Sequence, residues 1–261
     1  MRLIESPSPN FGERRDGAPV DMLVLHYTGM PTAQAALARM MDPAAEVSAH
    51  YMVDETGDIY RLVAEDKRAW HAGQSYWAGA TDINSRSIGI EIVNPGHEFG
   101  YRDFPEGQIA ALEELLLGIL ARHAIPPSRV LAHSDVAPER KEDPGERFPW
   151  ERLAKAGIGV WFQRRVAPPP DAPVDLAHLI ERLEAIGYRA VAANEAAAAK
   201  TIAAFQRHWL PHLIGGTAEG RATPAAIAAA SEIASAMRRA DVEWAKARGV
   251  SLPRRGGEAG A

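Results

Sequence analysis

Short apolar runs of strand length alternate with helical patterns over residues 1–162. The clearest run, residues 20–28, is apolar at most positions, which predicts a central strand of a sheet that is covered on both faces. Residues 55–57 suit a tight hairpin turn between two shorter runs. The other predicted strands are residues 48–54, 58–63, 87–93 and 129–133.

Helical spacing replaces the strand pattern between these runs. Apolar residues recur every three or four positions within residues 104–123, which predicts a long amphipathic helix. Residues 32–41 and 148–156 have the composition of shorter helices. Residues 1–19 and 64–86 carry no such period and are predicted to be irregular.

A proline-rich segment with the run Pro168–Pro170 precedes an alanine-rich C-terminal part. Three consecutive prolines favour an extended, semi-rigid linker. Helices are predicted beyond it at residues 175–186, 195–209 and 223–247. At 261 residues the chain suits two domains. We divide it into a domain at 1–162, a linker at 163–174, a helical domain at 175–247 and a disordered tail at 248–261.

Composition and charge exclude several classes of function. A net charge of -5 gives no reason to expect a nucleic acid or an anionic membrane as partner. The sequence contains neither a transmembrane-length apolar run nor an export signal. We therefore expect a cytoplasmic protein, or a periplasmic or envelope protein if an export signal has been removed. Cysteine is absent, which excludes disulfides, thiolate zinc sites and cysteine nucleophiles.

His26 and His133 end two predicted strands, and Asp143 follows in a loop that Pro138 and Pro144 should keep from being helical. A catalytic zinc ion commonly takes three protein ligands and leaves a fourth position for water. Two imidazoles and one carboxylate suit such a site. Each residue alone would more simply be a hydrogen-bonded core or rim residue, so the hypothesis depends on the combination.

Glu91 lies inside an otherwise apolar strand, where a carboxylate is unfavourable unless it is paired or functional. Beside a metal-bound water it would accept a proton and pass it to a leaving amine. The alternative is a structural salt bridge. Lys141 would stabilise an oxyanion or orient the carboxylate, but a lysine in a charged loop is more often only solvated.

Five segments, in the same order, resemble the zinc-dependent N-acetylmuramoyl-L-alanine amidases of the amidase-2 type, which share a fold with peptidoglycan recognition proteins. The resemblance covers residues 20 to 155, and its last motif is the most specific. The motifs are VLHYT at 24–28, SAHY at 48–51, AWHAG at 69–73, NSRSIGIE at 84–91 and HSDVAPERKEDPG at 133–145.

The resemblance implies an α/β fold, with a mixed central sheet flanked by helices and zinc at the floor of a groove. It assigns the metal to His26, His133 and Asp143, and the catalytic roles to Glu91 and Lys141. It also implies hydrolysis of the amide between the lactyl group of N-acetylmuramic acid, possibly also its 1,6-anhydro form, and L-alanine. Peptidoglycan fragments or muropeptides would be the partners, and a monomer is expected.

Five further residues match recurrent positions of the family or lie in its predicted groove. His71 and Trp70 are expected to contact the substrate, and His71 alternatively supports an oxyanion. Asn84 would bind substrate or cap a turn. Trp77 would stack on a sugar face or only cover the core. His50, on a strand, is expected to be structural or to lie behind the residues that bind the metal.

Two alternatives to a broad amidase remain open. One is a recycling enzyme specific for anhydro-muropeptides, and the other is a recognition module that has lost catalysis. The presence of all three ligands, Glu91 and Lys141 argues against the second. The small all-α C-terminal domain is similar, more weakly, to a three-helix peptidoglycan-binding domain, through residues 201–209, Gly220 and Thr223–Pro224. A helical lobe that only packs on the first domain fits equally well.

Overall fold

The computed structural model describes residues 2–162, 173–189 and 194–252. Its strands are β1 (Arg2–Glu5), β2 (Phe11–Glu13), β3 (Met22–Tyr27), β4 (Tyr51–Val53), β5 (Asp58–Arg61), β6 (Lys67–Ala69), β7 (Ser87–Ile92) and β8 (Val130–Ala132). A mixed six-stranded sheet with the order β1-β5-β4-β7-β3-β8 lies at the centre, and β2 and β6 form a separate antiparallel pair. This arrangement confirms the predicted α/β fold class.

Helices cover both faces of the sheet, and three of them form the C-terminal lobe (residues 173–189 and 194–252). The predicted helices are present, and α8 has the predicted bounds. The helices are α1 (Ala33–Met41), α2 (Ile83–Arg86), α3 (Gly96–Phe99), α4 (Glu106–Arg122), α5 (His133–Val136), α6 (Trp150–Lys155), α7 (Leu176–Ile186), α8 (Glu195–Trp209) and α9 (Pro224–Arg248). No helix in these described ranges is long and apolar enough to cross a membrane.

Strand β3 is the central element predicted from its apolar run. It pairs in parallel with β7 on one side and with β8 on the other. Leu23 and Leu25 belong to the hydrophobic cluster that includes α4. Met22 and Val24 face the opposite way, into the cluster formed largely by the C-terminal lobe. Successive side chains point to opposite faces, so a strand covered on both faces is apolar at every core position.

The predicted division at 163–174 does not separate two hydrophobic cores. Leu131 of β8 shares one cluster with Leu179 of α7 and Phe205 of α8. Most of the predicted linker, residues 163–172, lies outside the described residues, as does the tail from residue 253 onward. Helix α9 extends one residue beyond the predicted end of the helical domain, to Arg248.

Three expectations of irregular structure were wrong. Residues 1–19 contain β1 and β2, and residues 64–86 contain β6 and α2. Each of these strands is held by a distant partner: β1 pairs with β5, and β2 pairs with β6. The loop after β8 begins with α5, a single helical turn that ends before Pro138. A proline prevents a helix from continuing through it but leaves room for a turn before it.

Glu65 joins β4 to the C-terminal end of α4 through one half-buried carboxylate. It accepts hydrogen bonds from Tyr51 Oη at 2.8 Å, Arg122 Nη2 at 2.7 Å and His123 Nε2 at 2.7 Å. Burial by itself would raise the pKa of Glu65, but the hydrogen bonds from Arg122, His123 and Tyr51 lower it to about 2.

We expect Glu65→Gln to lower the free energy of unfolding at pH 7 by about 1–2 kcal/mol. A carboxyl whose folded-state pKa is depressed stabilises the fold above its unfolded-state pKa, and this contribution is lost as the pH falls toward 2. Urea unfolding at pH 7, 5 and 3 measures the effect. A difference between variant and wild type that stays constant from pH 7 to pH 3 would contradict it.

Candidate metal centre and active site

Three side chains converge at one edge of the sheet. His26 is near the end of β3, His133 is the first residue of α5, and Asp143 follows in the next loop. His26 Nδ1 lies 2.9 Å from His133 Nδ1, and Asp143 Oδ2 lies 3.0 Å from the first nitrogen and 2.9 Å from the second. All three residues are buried and form a group that could hold a metal ion.

A hydrogen bond at the far nitrogen of each ring favours the tautomer in which the converging nitrogen can bind a metal. His133 Nε2 lies 3.3 Å from the carbonyl oxygen of Ala72, which can only accept, so Nε2 carries the proton. His26 Nε2 lies 3.0 Å from His71 Nδ1. The direction of this second hydrogen bond depends on which nitrogen of His71 carries the proton.

Ser87 Oγ donates to the carbonyl oxygen of Ile83 at 2.7 Å and is therefore an acceptor toward His71 Nε2, at 3.1 Å. His71 Nε2 therefore carries the proton, and His71 Nδ1 accepts a hydrogen bond from the N–H group at His26 Nε2. We call His26, His71, Ser87 and the Ile83 carbonyl the histidine relay. It assigns one tautomer to His26, with the lone pair of Nδ1 directed at Asp143.

The protonation of His26 and Asp143 matches what a metal ligand requires. Burial, followed by the neighbouring His133, lowers the pKa of His26 to about 4. Burial would raise the pKa of Asp143, but His133 and His26 hold it well below its usual value. A neutral imidazole and an ionised carboxylate are forms that bind a metal. Two imidazole nitrogens and a carboxylate oxygen at this spacing are a donor set that fits a divalent metal.

Glu91 lies directly opposite His26 in the parallel register of β7 and β3, so both side chains leave the sheet on the same face. Its Oε2 atom is buried and has no hydrogen-bond partner. Burial, then the charge of Asp143, raises the pKa of Glu91 well above its usual value. A carboxyl group with a raised pKa is suited to exchanging a proton with a neighbouring group.

A cavity of about 310 Å³ opens over these groups. Lys141 and Trp70 line it together with Glu91 and the three candidate ligands. Tyr27 lies at its edge and also lines a wider groove of about 660 Å³, which runs toward α8. The lysine thus lies on the wall of the cavity that Glu91 and the ligands share.

His71 is largely buried and also lines this cavity. A Cβ atom on Gly89 would lie 2.3 Å from the His71 ring, so only glycine fits at that position of β7. A glycine inside a strand often marks such a close approach. Gly89 was therefore a signal in the sequence that another group packs against β7. Asn84 Oδ1 accepts hydrogen bonds from the backbone N–H groups of His71 at 3.1 Å and Ala72 at 2.8 Å, which fixes the backbone of this segment.

The structure places the two remaining predicted residues away from the cavity. Trp77 is 2% exposed and its ring contacts Tyr188 edge-on, so it offers no face to a sugar. The interpretation as a core residue therefore replaces the one as a stacking residue. His50 accepts from the Gly89 N–H at 3.0 Å and donates to the Lys67 carbonyl at 3.0 Å, so its ring holds β7 and β6 together.

The sequence analysis missed Ser87 and Asp135. Ser87 completes the histidine relay, and Asp135 is 1% exposed, two residues after His133. Their roles depend on partners that are distant in sequence. A buried polar position next to a predicted ligand was the available signal for Asp135.

The family model described as Amidase_2, N-acetylmuramoyl-L-alanine amidase, matches residues 16–146. The N-acetylmuramoyl-L-alanine amidase AmiD of Escherichia coli K12 is 39% identical over 219 residues, which are 77% of this chain and 78% of that protein. The 1,6-anhydro-N-acetylmuramyl-L-alanine amidase AmpD of the same organism is 34% identical over 164 residues, 56% of this chain and 87% of AmpD.

Solved structures show the same relationship. The fold matches E. coli AmiD in complex with the substrate anhydro-N-acetylmuramic acid-L-Ala-D-gamma-Glu-L-Lys, with a TM-score of 0.76 and 35% identity over 87% of this chain and 97% of that one. AMPDH3 from Pseudomonas aeruginosa matches with a TM-score of 0.72 and 33% identity over 87% and 94%. The chain belongs to the N-acetylmuramoyl-L-alanine amidase family, whose members hydrolyse the amide bond between N-acetylmuramic acid and L-alanine.

Proposed function

We propose that this amidase uses one zinc ion, held by His26, His133 and Asp143, to cleave muropeptides of both the intact and the 1,6-anhydro type. The observation that carries the proposal is the convergence of three potential ligand atoms in the cavity that also holds Glu91, whose Oε2 is buried and unpartnered. All residues that we assign to the site come from one chain, so we propose that the monomer is active.

Zinc is the metal that this donor set favours. Two imidazoles and one carboxylate, with no cysteine in the chain, are typical of catalytic zinc sites that keep one position open. The chemistry supplied by zinc in such sites is polarisation of a carbonyl group and acidification of a water molecule. The residues around the site then have to move protons and stabilise charge.

We assign proton transfer to Glu91, which takes a proton from the attacking water at Oε2 and delivers it to the leaving nitrogen of L-alanine. Its environment supports this role, because a carboxyl group with a raised pKa is a better base toward water and remains able to act as an acid. Lys141, on the wall of the same cavity, stabilises the developing oxyanion. Trp70 contacts the substrate.

We propose for His71 a role other than substrate contact. The residue is 8% exposed on the wall of the cavity, and both its ring nitrogens are engaged by His26 and Ser87. We therefore propose that its ring positions the ligand His26 and has no nitrogen free to bind the substrate. Asn84 acts through the backbone of His71, and His50 acts through β7.

The range of substrates is proposed from the two kinds of relatives. The AmiD and AMPDH3 structures each align with 87% of this chain, which is more than the first domain alone, whereas the AmpD alignment covers 56% of it. The solved AmiD complex contains an anhydro-muropeptide. We therefore favour an enzyme that accepts both forms of the sugar. An anhydro-specific recycling enzyme is the second candidate, supported by the AmpD similarity.

Hydrolysis of an N-acetylmuramoyl tripeptide and of its anhydro counterpart by the zinc-loaded protein tests the proposal. We expect both to be cut at the lactyl–L-alanine bond. Glu91→Gln should reduce kcat on both about 1000-fold, because it removes the proton carrier, while zinc affinity changes little. Cleavage of the anhydro form alone would select the recycling function. A fully active Glu91→Gln protein would exclude the proposed role of Glu91.

Removal of the metal should abolish activity and lower stability together. Binding only to the folded state stabilises it by about 2.7 kcal/mol when the free metal is at 100 times its Kd. We expect a chelator to lower the unfolding midpoint, and zinc, but not magnesium, to restore both midpoint and activity. Full activity after chelation, with no metal detected by elemental analysis, would contradict a metal enzyme.

The histidine relay predicts that His71→Phe and Ser87→Ala weaken zinc binding. Loss of a partner that orients a metal-bound histidine typically reduces metal affinity about 10–100-fold. Competition with a chromogenic chelator measures this directly. His97→Phe is the matched control, since the His97 ring contacts Tyr27 and Glu146 and none of the three ligands. Equal zinc affinity in His71→Phe and His97→Phe would contradict the relay.

A further inference from the structure

We propose that the C-terminal lobe is a positioning part of the metal site, acting through a buried hydrogen-bond network around Asp135. Tyr188 and His208 are the residues of the lobe that hold this carboxylate. The inference rests on the proposed role of His133 as a metal ligand. It assigns to the lobe a function in the chemistry of the site that is separate from any contact with peptidoglycan.

Asp135 is the third residue of α5, the single helical turn that begins with His133. Its Oδ2 accepts hydrogen bonds from the backbone N–H of Ala132 at 2.8 Å and from His208 Nδ1 at 2.7 Å. Its Oδ1 accepts from Tyr188 Oη at 2.5 Å. The carboxylate thus receives one hydrogen bond from its own turn and two from side chains of the C-terminal lobe.

Burial makes these contacts strong constraints on the position of α5. Asp135 is 1% exposed, and a buried carboxylate is tolerated only when its oxygens are paired. His208 cannot easily move to compensate, because its ring is stacked between Trp150 at 3.9 Å and Trp209 at 4.1 Å. If a partner is lost, the shortest way to relieve the carboxylate is to shift the turn that also carries His133.

A second connection joins the lobe to the other side of His133. The ring of Trp77 contacts Tyr188 at a centroid distance of 5.0 Å, and the Ala78 N–H donates to the Gly187 carbonyl at 2.8 Å. Ala72 lies in the same segment as Trp77 and Ala78, and its carbonyl oxygen accepts a hydrogen bond from His133 Nε2. The lobe therefore contacts both segments that orient this imidazole.

These contacts distinguish a positioning role from two simpler ones. A lobe that only bound the cell wall would change KM on polymeric peptidoglycan and leave zinc affinity unaltered. A lobe that only covered the sheet would change global stability wherever its contacts were weakened. If the lobe positions His133, weakening its contacts should lower zinc affinity and kcat. Only the contacts to Asp135 and to the segment with Trp77 and Ala78 should have this effect.

Full-length Tyr188→Phe is the sharpest test because it removes one hydroxyl group and keeps the packed ring. We expect its zinc affinity, measured by chelator competition, to fall about 5–10-fold. On a soluble muropeptide kcat should fall while KM stays within twofold. Asp135→Asn should give a loss at least as large, and adding Tyr188→Phe to it should change zinc affinity no further.

Asp241→Asn is the matched control. Asp241 belongs to α9 and accepts hydrogen bonds from Ser128 N at 3.0 Å and Ser128 Oγ at 2.6 Å, so it is another polar contact between the lobe and the first domain. We expect this variant to lower the unfolding midpoint of the apo protein without changing zinc affinity.

Three results would overturn the inference. These are an unchanged zinc affinity in Tyr188→Phe, an equal loss in Asp241→Asn, and a further loss when Tyr188→Phe is added to Asp135→Asn. A wild-type protein that binds no zinc would instead overturn the proposed metal site, so the two failures are distinguishable. A loss of affinity in Tyr188→Phe that adds nothing to the loss in Asp135→Asn supports the inference.

Discussion

The convergence of three potential donor atoms is the constraint on which the site depends. His26 Nδ1, His133 Nδ1 and Asp143 Oδ2 lie within 3.0 Å of one another. Each imidazole is held at its other nitrogen: the Ala72 carbonyl holds His133, and the histidine relay holds His26. These hydrogen bonds fix the orientation of both rings, so that the donor atoms stay directed at one point. The need to orient the metal-binding side chains therefore explains the buried polar groups around the cavity.

The parallel sheet supplies the framework for this cluster. Strands β3, β7 and β8 run in the same direction, so their carboxyl ends meet at one edge, where α/β proteins commonly bind ligands. The register places Glu91 beside His26, and Gly89 leaves the space that the His71 ring occupies. A slip of one residue in β7 would turn Glu91 to the opposite face. The apolar core that fixes this register is therefore also what aligns the catalytic groups.

The C-terminal lobe contributes to both levels. It covers the face of β3 that carries Met22 and Val24, so these apolar side chains would be exposed to solvent without the lobe. It also reaches the site through Asp135. Two relatives of known structure, AmiD and AMPDH3, each align with 87% of the chain, which is more than the first domain alone, whereas AmpD aligns over only 56% of the chain.

The sequence by itself determined the buried strands, the long helices and the residues with metal-binding chemistry. Continuous apolar runs, helical periodicity and the motif at 133–145 are local properties, and local properties can be recognised in a sequence. The edge strands β1, β2 and β6 were missed because their pairing energy comes from partners elsewhere in the chain. Only the tertiary structure decided that His71 faces His26, that Trp77 is buried, and that Asp135 binds Tyr188 and His208. A side chain's partner is set by which distant segments the fold brings together, and no spacing along the chain encodes it.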